Sequence, residues 1–230
     1  MDKSSSSRRA TVRPEDDLES PEDVEQLVKT RERVKAYGEV FTPRRMVHQM
    51  LDLVSDELES APGFVDKTFF EPAAGDGNFL VAILQRKLDA IEKTFPAERW
   101  PIESLFAVAS IYAVEFLPDN HELAQASMLN LFAHFHERTG TPVDQSTDLW
   151  LAARYLVHAN ILLGNTLTSQ ADDGEDLEFS WWNRVDDVTV QRDPFTLASL
   201  RGASTGAFDF TVYETYKPCR IDQVHIGVSH

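Results

Sequence analysis

Residues 70–79 decide the fold and read Phe-Glu-Pro-Ala-Ala-Gly-Asp-Gly-Asn-Phe. The apolar run at residues 68–70 is typical of a short buried strand, and residues 79–95 repeat apolar side chains at helical spacing. A glycine turn therefore joins a strand to a helix. In that context Gly75 and Gly77 allow the backbone to approach a ligand closely, and the helix N-terminus attracts a carboxylate or phosphate. A purely structural turn is the alternative.

Strands and helices alternate along the rest of the chain. Apolar periodicity predicts helices over residues 22–36, from Pro43 to Leu58, and over residues 101–110, 119–137 and 149–157. Strand composition occurs at residues 111–114, 161–163 and 208–213, whereas residues 169–207 have no clear pattern. This alternation predicts an α/β fold, with a mostly parallel sheet and helices on both of its faces.

Composition limits the class of protein. No apolar run approaches the roughly 20 residues of a membrane span. Cys219 is the single cysteine, which excludes an internal disulfide and a cysteine-based zinc site. We therefore expect no membrane association, no metal and a cytoplasmic location.

The formal net charge of −16 opposes unaided binding to DNA, because phosphate contacts require a basic face. The acidic residues concentrate in segments 15–25 and 172–178. Such blocks are usually solvated. An acidic surface that meets a basic partner or mimics DNA is the alternative.

A dinucleotide site fails two tests at the glycine turn. Leu80 occupies the position of the third glycine, and no acid follows a strand about 20 residues further on. The first acid that closes a strand is Glu115, where a carboxylate can accept bonds from both ribose hydroxyls. These residues argue against a nicotinamide enzyme.

Four motifs in one order resemble those of adenine-specific DNA methyltransferases, the modification subunits of restriction systems in particular. They are residues 38–43 (GEVFTP), 71–79 (EPAAGDGNF), 111–115 (IYAVE) with 118–120 (PDN), and 160–167 (NILLGNTL). The Phe-Thr-Pro element precedes the glycine motif, as it does in one class of these enzymes. The resemblance implies a Rossmann-like methyltransferase sandwich, incomplete at its C-terminal end, that binds S-adenosylmethionine.

The resemblance also implies a division of the chain. Residues 1–21 are expected to form a disordered, acidic and Ser-rich arm. Residues 22–230 are expected to form a single methyltransferase-like domain, with N-terminal helices over residues 22–60 and a cofactor-binding core over residues 61–230.

The resemblance further assigns cofactor roles to individual residues. Thr42 and Pro43 would lie beside the methionine part, and Phe79 would pack the turn. Glu115 would hold the ribose, with Phe116 against the adenine. The amino-acid and sugar portions of the cofactor would be lined by Glu71, Pro72, Ala73, Gly75 and Gly77.

Two features depart from the family pattern. Asn165 stands where the family commonly has an aspartate that contacts the adenine amino group, although an amide oxygen can still accept one bond from it. The catalytic Asn/Asp-Pro-Pro-Tyr motif, which holds the amine of a flipped base, is missing. Residues 214–217 (ETYK) follow the predicted strand 208–213 in its place. Glu214 could accept an amine bond and Tyr216 could stack on a base, but a plain surface turn is the simpler interpretation.

The sequence therefore predicts a DNA adenine-N6 methyltransferase, or its modification subunit, whose catalytic residues are unidentified. DNA would be the substrate, and a partner subunit would help to recognise the target. Two alternatives are a cofactor-binding but inactive regulatory or interaction subunit, and an acidic anti-restriction protein.

Overall fold

The computed structural model describes residues 29–204 and 216–226 of the 230-residue chain. The helices in these residues are α1 (Arg31–Tyr37), α2 (Arg44–Asp52), α3 (Ser55–Glu59), α4 (Asn78–Thr94), α5 (Trp100–Ala109), α6 (Pro118–Arg138), α7 (Asp148–Asn160) and α8 (Leu197–Ser204). The strands are β1 (Phe69–Glu71), β2 (Ile111–Glu115), β3 (Ile161–Leu163), β4 (Glu178–Arg184), β5 (Thr189–Thr196) and β6 (Cys219–Arg220).

Strands β1, β2 and β3 form a parallel sheet in the order β1-β2-β3. Glu71 is paired with Ala113, and Glu115 is paired with Leu163, so β2 extends two residues beyond β1 at the carboxyl edge. All five residues of β2 are buried. The prediction of an α/β fold around a parallel sheet is confirmed.

One face of this sheet is covered by helices. Helices α4 and α5 connect β1 to β2, and α6 and α7 connect β2 to β3. Both connections move across the sheet in the same direction and such crossovers are right-handed in nearly all cases, so the helices lie on a single face. Ile111 and Ala113 of β2 join the main apolar core there, together with buried side chains of all four helices.

The opposite face is covered mainly by a β-hairpin. Strands β4 and β5 pair antiparallel, and β6 extends them. Tyr112 and Val114 of β2 pack against Phe179 and Phe195 of the hairpin. Helix α8 also begins at this face, because its first residue, Leu197, joins the same buried cluster. In the described residues helices therefore contact both faces of the sheet, although the hairpin covers the second face in the main.

Three further sequence predictions concern the N-terminal helices, the segments outside the described residues and membrane spans. The predicted helix from Pro43 to Leu58 is broken, because Val54 leaves the helical backbone between α2 and α3. Helix α1 begins at Arg31, whereas the predicted start near residue 22, the arm at 1–21 and the strand at 208–213 lie outside the described residues. Within the described part of the chain, no helix combines the length and the apolar character needed to span a membrane.

Candidate functional site

The carboxyl ends of three neighbouring strands meet at one edge of the sheet. Glu71 ends β1, Glu115 ends β2, and the loop that begins at Gly164 follows β3. Open α/β sheets bind their ligands outside this edge. This edge of the sheet is therefore the candidate site.

The glycine turn is fixed to the sheet by its backbone. The Ala74 N–H donates to the Val114 carbonyl (3.0 Å), and the Gly77 N–H donates to the Ala74 carbonyl (3.0 Å). Gly75 and Gly77 have left-handed backbones, with φ of 58° and 93°. Residues other than glycine rarely adopt these φ values, so the turn itself requires both glycines.

Neighbouring protein atoms fill the space beside both glycines. A Cβ on Gly77 would lie 2.9 Å from the Cα of Ala124 in α6, and one on Gly75 would lie 3.2 Å from the Phe41 ring. The prediction that both missing side chains make room for a ligand is therefore wrong in the structure. Gly77 permits close packing of α6, and Gly75 permits the segment around Phe41 to cover the turn.

Glu115 is a buried carboxylate that faces the glycine turn. Its side chain accepts hydrogen bonds from the Gly75 N–H at Oε2 (2.7 Å) and from the Leu117 N–H at Oε1 (2.9 Å). The residue is only 6% exposed. A carboxylate offers about four lone-pair positions, so Oε2 can accept another bond, whereas Oε1 also has the Asn120 amide at 3.5 Å. This geometry suits a ligand that presents two adjacent hydroxyl groups.

Two more carboxylates give this edge a negative potential. Burial raises the pKa of Glu71, and the nearby negative charge of Glu115 raises it further. Burial also raises the pKa of Asp76, although backbone N–H groups and the positive charges of Lys29 and Arg44 act against that rise. The Glu71 carboxylate accepts a bond from the Ala73 N–H (3.0 Å), which holds it at the start of the turn. The site therefore favours cations and hydroxyl donors over anions.

The loop after β3 is bonded to the glycine turn. The Thr166 hydroxyl donates to the Pro72 carbonyl (2.6 Å), which is the direct contact between the two segments. The Asn165 side-chain oxygen accepts a bond from the Leu167 N–H (2.9 Å) and stabilises its own loop. That oxygen retains a lone pair, so the predicted contact between Asn165 and an adenine amine stays a prediction.

The segment before α2, residues 38–43, lies against the glycine turn. Thr42 is half-buried and Pro43 precedes the first residue of α2. Phe116, directly after Glu115, is 46% exposed. Its ring centroid lies 6.1 Å from that of Tyr37 at the end of α1. Phe79 differs from these residues, because it packs against the main core from the first turn of α4.

Sequence reasoning missed a cluster of charged and polar side chains beside Glu115. The Arg33 guanidinium donates to both Glu39 oxygens (2.6 and 2.7 Å) and to Asp119 (3.0 Å). Lys29 donates to Asp119 (2.8 Å) and Asn120 (2.6 Å). The Arg33 bonds lower the pKa of Glu39 and of Asp119. Glu39 and Asn120 lie inside quoted motifs, but contacts across about 80 residues cannot be inferred from spacing.

Tyr216 contacts a different part of the molecule. Its ring lies 4.4 Å from the guanidinium of Arg192 in β5, which also donates to the Tyr155 hydroxyl of α7 (2.7 Å). This contact gives Tyr216 a packing role, and its suggested contact with a base stays a prediction. Glu214 lies outside the described residues.

Comparisons with protein-family models, with curated proteins and with solved structures found no match to this chain. The geometry of the site and the motif series are therefore what indicates a function for this chain.

Proposed function

We propose that the chain binds S-adenosylmethionine at the carboxyl edge of the sheet and is the cofactor-binding part of an adenine-specific DNA methyltransferase of a restriction–modification system. The observation that carries the proposal is the position of Glu115. Its buried carboxylate lies 2.7 Å from the Gly75 N–H, at the end of the central strand. A ribose placed there can donate both hydroxyls to one carboxylate.

The charge of the site favours this cofactor over a nucleotide that carries phosphates. Glu71, Asp76 and Glu115 all lie at this edge, and the first two have raised pKa values. Their negative potential attracts a sulfonium and an ammonium group and repels a pyrophosphate. An adenosyl sulfonium is therefore a better electrostatic match than a dinucleotide.

The strand order is a second support. The order β1-β2-β3, with the glycine turn after the edge strand β1, matches one half of a doubly wound sheet. In such sheets the ligand lies beside the first strand, where the strand order reverses. A Rossmann-like methyltransferase core is the architecture that best fits this half-sheet together with the motif series.

The close approach of Phe41 to Gly75 limits how the cofactor can fit. The space beside the two glycines is filled by protein atoms, so the ligand has to reach Glu115 from another side. Glu115 Oε2 accepts a bond from the Gly75 N–H and retains a second lone pair for a ribose hydroxyl. In this proposal, Glu115 holds the ribose of an adenosyl group through this oxygen.

Action on DNA rests on the motif series, and the formal charge of −16 argues for a partner. Lys29 forms an ion pair with Asp119, and Arg33 forms ion pairs with Glu39 and Asp119. These two residues are therefore occupied, which leaves fewer cations for phosphate contacts. A target-recognition subunit that supplies them is part of the proposal.

The second candidate is a subunit that binds the cofactor without transferring its methyl group. The observation that favours it is the missing Asn/Asp-Pro-Pro-Tyr motif, together with the contact of Tyr216 with Arg192. Transfer of a labelled methyl group to duplex DNA, with and without candidate partner subunits, distinguishes the two functions.

Calorimetry with S-adenosylmethionine tests the shared step. We expect Glu115→Gln to weaken binding by about a hundredfold, because two bonds to a charged acceptor are impaired. Glu103→Gln is the matched control, since Glu103 is equally buried but is held by Arg99 and Arg184 outside the site. It should lower stability and leave affinity unchanged. No binding by the unaltered chain would refute both cofactor functions and favour an acidic interaction protein.

A further inference from the structure

We infer that helix α1 closes the adenine end of the cofactor site, with Tyr37 as the second aromatic wall opposite Phe116 and with Arg33, Glu39 and Asn120 as the positioning residues that hold this wall. The inference rests on the proposed cofactor function. It adds residues that the motif series does not assign to the site.

The first observation is an aromatic pair that the core does not use. Tyr37 is 56% exposed and Phe116 is 46% exposed, yet their ring centroids lie 6.1 Å apart with planes at 52°. Burying large aromatic rings is strongly favourable, so two half-exposed rings beside a candidate site offer unused surface for a planar ligand.

The two rings now pack against each other as a tilted pair, so they must separate to hold a base between them. Carbon atoms in contact are about 3.5 Å apart, so a ring held between two others requires their planes to be about 7 Å apart. The present centroid distance is 6.1 Å. Tyr37 is 56% exposed, so its side chain has to move away from Phe116 before a base can enter between the rings. Phe116 directly follows Glu115, so a base on a ribose bound by Glu115 lies within reach of it.

The second observation is that α1 is held by charges and not by packing. The helix has seven residues and none of them is buried. A helix of this length is unstable in isolation. Arg33 fixes it by paired bonds to Glu39 and by bonds to Asp119 at the start of α6. The position of Tyr37 therefore depends on this anchor.

The third observation is that the anchor reaches the ribose-binding acid. The side-chain amide of Asn120 is 1% exposed and donates to Glu39 Oε1 (2.7 Å). It also lies 3.5 Å from Glu115 Oε1. One amide thus connects the carboxylate that holds α1 to the carboxylate at the glycine turn. The aromatic wall and the ribose acid are consequently positioned together.

Binding by Tyr37 variants tests the wall. The probes are S-adenosylmethionine and 5′-methylthioadenosine, which keeps the adenosine and lacks the amino-acid part. We expect Tyr37→Ala to weaken both probes by about tenfold, because a stacked ring is lost. Tyr37→Phe should retain full affinity, since the ring remains. Leu53→Ala removes another exposed side chain, one that is 84% exposed after α2, and should change neither affinity.

A double-variant cycle tests the anchor. Glu39→Gln removes the charge that holds Arg33 and should weaken both probes by a factor similar to that of Tyr37→Ala. The double variant should lose little more than either single variant, because both changes remove the same wall. Losses that multiply independently would contradict the proposed link between the anchor and Tyr37.

The outcomes separate this inference from the proposed function. If the unaltered chain binds neither probe, the cofactor function itself fails and this inference falls with it. If the unaltered chain binds both probes and Tyr37→Ala binds them equally well, the cofactor function survives and the aromatic wall is wrong.

Discussion

The two edges of the parallel sheet are built in opposite ways. At the amino edge the fully buried Lys87 donates to the Val65 carbonyl (2.9 Å), the Lys67 carbonyl (2.7 Å) and the Ser110 hydroxyl (2.6 Å). At the carboxyl edge Glu71 and Asp76 have raised pKa values, and Phe116 stays half exposed. The amino edge therefore has a saturated polar network, whereas the carboxyl edge keeps charges and apolar surface that a ligand can use.

A second contact at the amino edge has the same character. The Asn160 amide donates to the Ala109 carbonyl (2.9 Å) and its oxygen accepts a bond from the Trp182 indole N–H (2.8 Å). These bonds tie the starts of β2 and β3 to the hairpin. Buried polar groups with complete hydrogen bonding fix a structure rigidly. The rigid amino edge therefore supports a carboxyl edge whose charged and apolar groups are not fully satisfied by the protein itself.

The largest effect is expected from breaking the amino edge. Lys87→Met keeps most of the side-chain volume but leaves three buried acceptors without their donor, which should lower the free energy of unfolding by about 4 kcal/mol. Urea denaturation measures this loss. Lys67→Met is the control, because the Lys67 side chain is exposed and the substitution should be nearly neutral. S-adenosylmethionine affinity of the folded Lys87→Met protein should be unchanged.

The same lysine predicts a pH dependence. Burial lowers the pKa of Lys87 from 10.5 to about 7. Between these values the unfolded chain binds one more proton than the folded chain, so this group makes stability rise with pH over that range. Denaturation at several pH values should therefore give a stability difference between the unaltered chain and Lys87→Met that grows from pH 7 upwards. A constant difference would indicate that Lys87 does not titrate in this range.

The next effect is expected from the glycine turn at the carboxyl edge. Gly77→Ala places a methyl group 2.9 Å from Ala124 at a φ of 93°, and should cost about 3 kcal/mol of stability. Gly174→Ala is the matched control, since Gly174 has a φ of 86° and no atom near its Cβ position. It should cost only about 1 kcal/mol, the price of the backbone alone. Equal losses in urea denaturation would contradict the packing role of Gly77.

The sequence predicts the central sheet well because its signals are local. Strands β1, β2 and β3 are short apolar runs next to turn or helix residues, and helical periodicity marks α4 and α6. The sequence does not predict the hairpin, because both of its faces pack against other parts of the protein. Phe179 and Trp181 pack under Tyr112, while Trp182 on the other face packs against the main core, so the strand has no alternation of apolar and polar residues.

The site is predicted only where a motif carries it. Glu115 and the glycine turn belong to quoted motifs, and the structure brings them together. The bonds of Arg33 to Asp119 join residues 86 positions apart, and such pairs have no signature in spacing or periodicity. The burial of Lys87 also cannot be predicted from the sequence, because a lysine in an amphipathic helix normally lies on its exposed face.

The smallest effect sharpens the comparison, because it separates stability from affinity. The raised pKa of Glu71 means that the folded chain binds its proton more tightly, so stability falls as pH rises from 4.5 through the raised value. At neutral pH Glu71→Gln removes this buried charge and keeps an acceptor for the Ala73 N–H, so stability should rise slightly. S-adenosylmethionine affinity should fall, because the site loses negative charge.

Paired denaturation and calorimetry on Glu71→Gln measure the two quantities, with Glu175→Gln, an exposed acid in the loop before β4, as the control. A gain in stability with a loss of affinity is the signature of a binding edge, where charge is kept at a cost to the fold. Lys87→Met should do the opposite and lose stability alone. If Glu71→Gln lost stability without losing affinity, Glu71 would act like the amino-edge residues, and the contrast between the two edges would not hold.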